Sequence, residues 1–177
     1  MLILDIIKKY NLFTKKKFGQ NFLVDELLLD KIVACSGLIQ NKNVLEIGCG
    51  PGGLTYSILK QNPKKLISVE IDKDCYNIVK TEFEKYKNFE VINQDATKIN
   101  EQDLFNGEKI KIIANLPYNV GTNLLIKWLH NLSIFEDFAL LDFFFAFLEF
   151  FFLVFDLLFV FFEEEVFTVF FFEDEST

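Results

Sequence analysis

The sequence predicts an α/β fold, an open doubly wound sheet whose strands alternate with helices. Four short runs rich in Val, Ile and Leu, at residues 44–47, 66–72, 89–93 and 109–114, are separated by stretches with apolar residues at helical spacing. The first run opens directly into Gly48-Cys49-Gly50-Pro51-Gly52-Gly53 and then a helical stretch, Leu54 to Gln61. Strand, glycine loop and helix in that order form one nucleotide-binding unit.

Met1 to Tyr10 mixes apolar and charged residues and fits a short helix or a frayed arm. Next comes the basic stretch Lys15-Lys16-Lys17-Phe18-Gly19-Gln20-Asn21-Phe22-Leu23. Composition favours a solvated loop here; the functional alternative is a lid whose lysines meet phosphates and whose Gln20 and Asn21 reach a ligand. Asp25 then caps an amphipathic helix with Leu28, Leu29, Ile32 and Val33 on one face, ending near Ser36-Gly37.

Glycines at 48, 50 and 52 let the backbone turn sharply and approach a ligand without side-chain clash. Gly48, Gly50 and Gly53 can also be read as a dinucleotide GxGxxG, so the loop alone leaves a nicotinamide dinucleotide and S-adenosylmethionine both open. Glu46, two residues before the first glycine, tips the balance: it resembles the acid that opens the glycine loop of class I methyltransferases, with a strand residue satisfied by loop amides as the plainer alternative. Glu70, near the end of the second strand, stands where a carboxylate can accept from both hydroxyls of a ribose. Asp72 is read as the cap of the next helix, along which Cys75, Ile78, Val79, Glu82 and Phe83 trace one face. After the third strand, Asp95 could accept from an adenine amino group, with a solvated loop acid as the plainer alternative.

The fourth strand delivers Asn115-Leu116-Pro117-Tyr118. Asn115 offers a side-chain carbonyl, Pro117 biases Leu116 toward an extended shape that aims its own carbonyl outward, and Tyr118 supplies a flat ring. That set suits a planar base bearing an amino group, held by two acceptors with its lone pair turned toward an electrophile; a plain turn after a core strand is the alternative. In the helix that follows, Leu124, Leu125, Trp128 and Leu129 form the inner face, with Trp128 read as core.

Charge is divided unevenly along the chain. Residues 1–130 carry all 18 lysines against 15 acids, whereas residues 131–177 carry no lysine and 11 acids. Phenylalanine shifts as sharply, from 6 in the first part to 17 in the second. The first part can approach a polyanion; the second would repel one. Cys35, Cys49 and Cys75 are too far apart for a zinc pattern and odd in number, which fits reduced thiols and no metal site. An acid inside the short apolar start and the absence of a basic leader point to a cytoplasmic protein. A histidine base has one candidate, His130, whose place late in a helical run argues for packing or surface duty.

Taken together, the lysine-rich FGQNFL, VLEIGCGPGGLT, SVEID, QDA and ANLPYN, in this order and spacing, resemble the ribosomal RNA adenine dimethyltransferases, and within them the branch that acts on small-subunit 16S rRNA and in ribosome assembly. The resemblance covers roughly residues 10 to 135. It implies a class I S-adenosylmethionine-dependent methyltransferase fold, Rossmann-like, with S-adenosyl-L-methionine as cofactor and the N6 amino group of adenosine in the 16S rRNA of a small ribosomal subunit precursor as target. It further implies that Gln20, Asn21 and Leu23 line the cofactor mouth, that Glu46, Gly48, Gly50 and Gly52 belong to the loop at the methionine part, that Glu70 holds the ribose and Asp95 the cofactor's adenine. Asn115, at the junction with the cofactor, grips the target base together with Leu116, Pro117 and Tyr118. A monomer without stable membrane association is expected.

Beyond Phe135 the resemblance stops. The family's further strands and helical RNA-binding domain are expected to be missing or replaced, leaving a methyltransferase part at 1–135 and a Phe-rich acidic tail at 136–177. From Phe138 to Phe172 the acids at 142, 149, 156 and 163 recur every seven residues, which on a helix draws one acidic stripe along an apolar rod. Acids within that run oppose a membrane span. This tail suggests a truncated or frame-disrupted copy, which puts catalysis by this chain in question; a basic, proline-containing C-terminus in another reading frame of the gene is the expected sign of disruption. A resistance-type 23S rRNA adenine methyltransferase, a non-catalytic RNA-binding assembly factor and a membrane-anchored interaction protein are the alternatives.

Overall fold

The apolar runs become strands buried on both faces, as parallel strands flanked by helices must be. The structure, a computed structural model, describes residues 3–13, 22–116 and 118–141. Strands β1 (Asn43–Ile47), β2 (Lys65–Glu70), β3 (Phe89–Asn93), β4 (Ile110–Asn115) and β5 (Phe135–Leu141) form one sheet in the order β3-β2-β1-β4-β5. Every neighbouring pair is parallel. β1 is buried at all five positions, whereas β3, at one edge, is half-exposed.

Because side chains alternate across a strand, adjacent residues feed different cores. Leu45, Ile67 and Ile112 face a cluster with Phe105, Leu124 and Trp128; Val44, Leu66 and Ile113 face another with Ile32, Ile58 and Phe83. Helices α2 (Glu26–Cys35), α3 (Gly53–Lys60) and α4 (Lys73–Glu82) supply the second cluster. Helix α6 (Tyr118–Leu129) and the short α5 (Glu101–Leu104) pack toward the first, in which Trp128 is 1% exposed and edge-on to Phe135. Trp128 is therefore core, as its spacing predicts.

The expected caps form. Asp25 accepts from the N–H groups of Leu27 at 2.9 Å and Leu28 at 3.2 Å, and Asp72 accepts from that of Asp74 at 3.0 Å. The N-terminal segment is a packed helix, α1 (Ile3–Lys9), and not a frayed arm. Its Ile3 and Ile6 bury against Ile78 of α4, and at its end the Tyr10 hydroxyl donates to Glu82 Oε1 at 2.6 Å beside the Lys9 ammonium at 2.7 Å. Cys49 and Cys75 are buried free thiols, and Cys35 is half-buried.

One strand appears where the sequence reading has none. β5 runs past the expected boundary at residue 135 and pairs with β4 from Ile110 opposite Phe135 to Asn115 opposite Leu141, with an irregularity between Ile110 and Lys111. The unpaired backbone edge of β4 offers a ladder to any apolar segment that reaches it, and Phe135–Leu141 follows α6 after only a short turn, Leu132–Ile134. The first residues of the proposed acidic rod are thus strand; the rest of the tail, 142–177, lies outside the described residues. Among the described residues no helix is long and apolar enough to cross a membrane.

Candidate functional site

In an open parallel sheet the crevice for a ligand lies at the carboxyl ends of the strands, where the strand order reverses. Here the chain moves outward from β1 to β2 and β3, then crosses back to place β4 on the other side of β1, so the reversal lies between β1 and β4. The glycine loop follows β1 and the Asn115 tetrapeptide follows β4. Gly48, at φ +75°, donates its N–H to the Val69 carbonyl at 2.8 Å, and a Cβ placed on it would lie 3.8 Å from the Asn115 carbonyl oxygen. Two motifs far apart in sequence meet at one edge.

Glu70 ties the loop to β2. Its Oε2 accepts from the Gly50 N–H and its Oε1 from the Asp72 N–H, both at 2.8 Å. Burial pushes its carboxyl up from the ordinary value while these two N–H groups pull it down. Left-handed backbone falls at Gly48, Gly50 and Gly52, whereas Gly53 is the first residue of α3 and is close-packed, its Cβ position 3.0 Å from Leu29 and 3.1 Å from the Leu23 carbonyl. Gly50 lies under the Phe22 ring, 3.4 Å from its Cβ position. Leu23, half-buried, thus borders the loop by its backbone, as does Phe22 by its ring. Phe22 was not among the expected site residues; its only signal was an aromatic placed between Asn21 and Leu23.

Glu46 does not reach a ligand. It is 0% exposed, and its Oε2 accepts from the Thr55 hydroxyl at 2.7 Å and the Ser68 hydroxyl at 2.5 Å. The expected cofactor contact is corrected: a side chain in the middle of a doubly covered strand points into the protein, where it joins β1 to α3 and β2. Burial foremost raises its carboxyl to about 7, with the two hydroxyls opposing and Glu70 adding to the rise. Its Oε1 has no hydrogen-bond partner, which also opposes ionisation. Since the folded chain holds this proton more tightly than the unfolded one, its contribution to stability is complete below about pH 4.5 and is lost as pH rises to about 7. Glu46→Gln is expected to remove a decline of roughly 3 kcal/mol across that window. Urea midpoints from pH 4.5 to 8 measure it; parallel curves for the two proteins would refute the assignment.

Asp95 caps the turn Ala96–Lys98, its Oδ1 accepting from the Thr97 N–H at 3.0 Å and the Thr97 hydroxyl at 2.7 Å. Those two bonds hold its carboxyl below the usual range. Its Oδ2 is opposed by the Lys98 ammonium at 3.4 Å. Asn115 is half-buried at the end of β4; Leu116 is 1% exposed with its side chain in the core, so only its backbone can serve a ligand. Tyr118 opens α6. The Tyr118 ring, together with Gln20, Asn21 and Pro117, lies outside what the structure describes.

Residues 11–143 match the family described as ribosomal RNA adenine dimethylase. The chain belongs to that family. Relatives named ribosomal RNA small subunit methyltransferase A include one from a Wolbachia of Drosophila simulans, 40% identical over 76% of this chain and 50% of the relative. Another, from Agrobacterium fabrum, is 46% identical over 71% of this chain and 46% of the relative. This dimethylase-family chain therefore spans about half the length of the curated relatives it matches. Among solved structures, a dimethyladenosine transferase from Plasmodium falciparum is similar with a TM-score of 0.55 and 32% identity, over 66% of this chain and 41% of that one. The 23S rRNA methyltransferase ErmE is similar with a TM-score of 0.58 over 66% of this chain and 45% of that one; at 24% identity this likeness shows the fold. The fold expected from the sequence, the α/β sheet of class I methyltransferases, is the one found.

Proposed function

We propose that the chain binds S-adenosyl-L-methionine at the β1/β4 crevice and directs its methyl groups to the N6 amino group of adenosines in small-subunit 16S rRNA. The observation that carries this reading is the meeting of the glycine loop, anchored by Glu70, with Asn115 at the point where strand order reverses. The names of the curated relatives support the small-subunit RNA as substrate over the large-subunit one. Such a substrate implies work on ribosome precursors in the cytoplasm.

The crevice fits a nucleoside. Gly48 and Gly50 keep the loop free of side chains, and an ionised carboxylate has about four acceptor sites, of which Glu70 uses two on Gly50 and Asp72. In this reading Glu70 faces the ribose, Gly48 and its neighbours the methionine part, and Leu23 with Gln20 and Asn21 the mouth. When bound, the cofactor supplies a methyl group activated on a sulfonium. Asn115 Oδ1 and the Leu116 carbonyl accept the two hydrogens of the target amine, and Tyr118 stacks on the base. An adenine amine is a weak nucleophile because its lone pair is shared with the ring; acceptors placed for a nitrogen gaining positive charge favour the transition state over the ground state. No side chain need remove a proton before transfer.

Calorimetric titration of the full chain with S-adenosylmethionine tests this first. Saturable binding is expected, weakened about tenfold or more in Glu70→Ala by loss of charged hydrogen bonds. A folded chain that takes up no cofactor would defeat the proposal.

A further inference from the structure

At the far end of α6 from the tetrapeptide lies a contact that no site motif explains. Lys127 directs its ammonium at three acceptors: the Ile99 carbonyl at 2.6 Å, the Ala96 carbonyl at 3.2 Å and Glu101 Oε1 at 2.9 Å. An ammonium has three donors, so this set is complete. Glu101 is 5% exposed, and the same Oε1 accepts from the Trp128 indole N–H at 2.8 Å. The two carbonyls bracket the turn Ala96–Lys98, whose capping residue is Asp95. One side chain of α6 thus clasps both ends of the segment that displays Asp95, while the first residue of that helix, Tyr118, follows the tetrapeptide.

A surface ion pair would contribute little here. This one is partly buried and engages main-chain carbonyls, and those fix backbone position. A guanidinium, planar and forked, would not reproduce three acceptors converging on one nitrogen. Oδ1 of Asp95 is taken by Thr97, and Oδ2 is met at 3.4 Å by Lys98, whose side chain is 75% exposed, so a ligand's amino group can share or displace that solvent-facing pair. Where Oδ2 points depends on the path of residues 95–99, two of whose carbonyls, those of Ala96 and Ile99, are bonded to Lys127.

We propose that Lys127 is a positioning residue for adenine recognition: through Ala96, Ile99 and Glu101 it aligns the Asp95 turn with the helix that carries the target-base tetrapeptide. This rests on the reading above that Asp95 accepts from the amino group of the cofactor's adenine. The discriminating quantity is the preference for an adenine over a hypoxanthine ring, because a 6-oxo group cannot donate to a carboxylate.

The full chain is titrated with S-adenosylhomocysteine and S-inosylhomocysteine. The unmodified chain is expected to prefer the former by about tenfold, the scale of one charged hydrogen bond. Asp95→Ala should abolish the preference, and Lys127→Met should reduce it to about threefold or less, with Lys127→Arg failing to restore it. If Asp95→Ala keeps the preference, or the unmodified chain binds neither ligand, the reading of Asp95 falls and the proposal with it. If Asp95→Ala loses the preference while Lys127→Met retains it, even with both ligands weakened equally, Lys127 is only structural and the proposal alone is overturned. Should Lys127→Met not fold, Glu101→Gln, which keeps an acceptor for Trp128, decides by the same ratio: a lowered preference supports the clasp and an unchanged one overturns it.

Discussion

Gly52→Ala is expected to destabilise the chain by about 3 to 5 kcal/mol, combining left-handed strain with overpacking. Gly52 has φ +94°, and a Cβ there would lie 2.5 Å from Cε2 and 2.9 Å from Cζ of Phe83, with Val79 at 3.3 Å. Phe83 cannot yield: it is 0% exposed and its ring is packed against Tyr86 and Phe89 at centroid distances of 6.0 and 5.7 Å. The two costs separate in a double-mutant cycle. In a Phe83→Leu background the same substitution should cost only the backbone part, about 1 to 2 kcal/mol. Urea denaturation of the four proteins measures the coupling, and a cost for Gly52→Ala that is unchanged in that background would show that Phe83 is not the obstacle.

Asn115→Ala is expected to reduce methyl transfer about 100-fold or more, the usual scale for removing one group aimed at developing charge. The substitution deletes one of the two acceptors proposed for the target amine and leaves the Leu116 carbonyl in place. Because Asn115 is half-buried at a strand end and meets the glycine loop through its backbone oxygen, which alanine retains, folding should be nearly unaffected and cofactor affinity should fall far less than the rate. Single-turnover transfer to small ribosomal subunits lacking adenine methylation, run beside calorimetry, separates rate from binding. Transfer within threefold of the unmodified chain would remove Asn115 from the chemistry; a loss of rate matched by an equal loss of cofactor affinity would make it a binding residue only.

Much of the local structure was legible. Residues 89–93 and the caps at Asp25 and Asp72 are found as expected, because strand propensity and capping act over a few residues. The docking of α1 was not legible, since Ile3 meets Ile78 and Tyr10 meets Glu82 across long stretches of chain, and nothing near Tyr10 announces that partner. Glu46 misled for a different reason. Its place before the glycines suggested a ligand contact, but only the covering of β1 on both faces turned it inward onto Thr55 and Ser68. β5 was hidden by composition: the phenylalanines of Phe135–Leu141 read as the start of an anomalous tail, whereas the free edge of β4 makes an apolar segment at that point a strand. Nothing in the sequence marks Lys127, because two of its three acceptors are main-chain carbonyls and the third, Glu101, lies 26 residues away.

Residue identity alone dictates which segments turn, which extend and where a loop free of side chains must fall, because glycine, proline and β-branched residues bias their own backbone. Long-range packing, by contrast, brings the loop after β1 and the end of β4 to one edge, and ties Glu70 to that loop while turning Glu46 away from it. Those outcomes depend on strand order and on which faces are covered from solvent, and both are set by packing among residues distant in the chain.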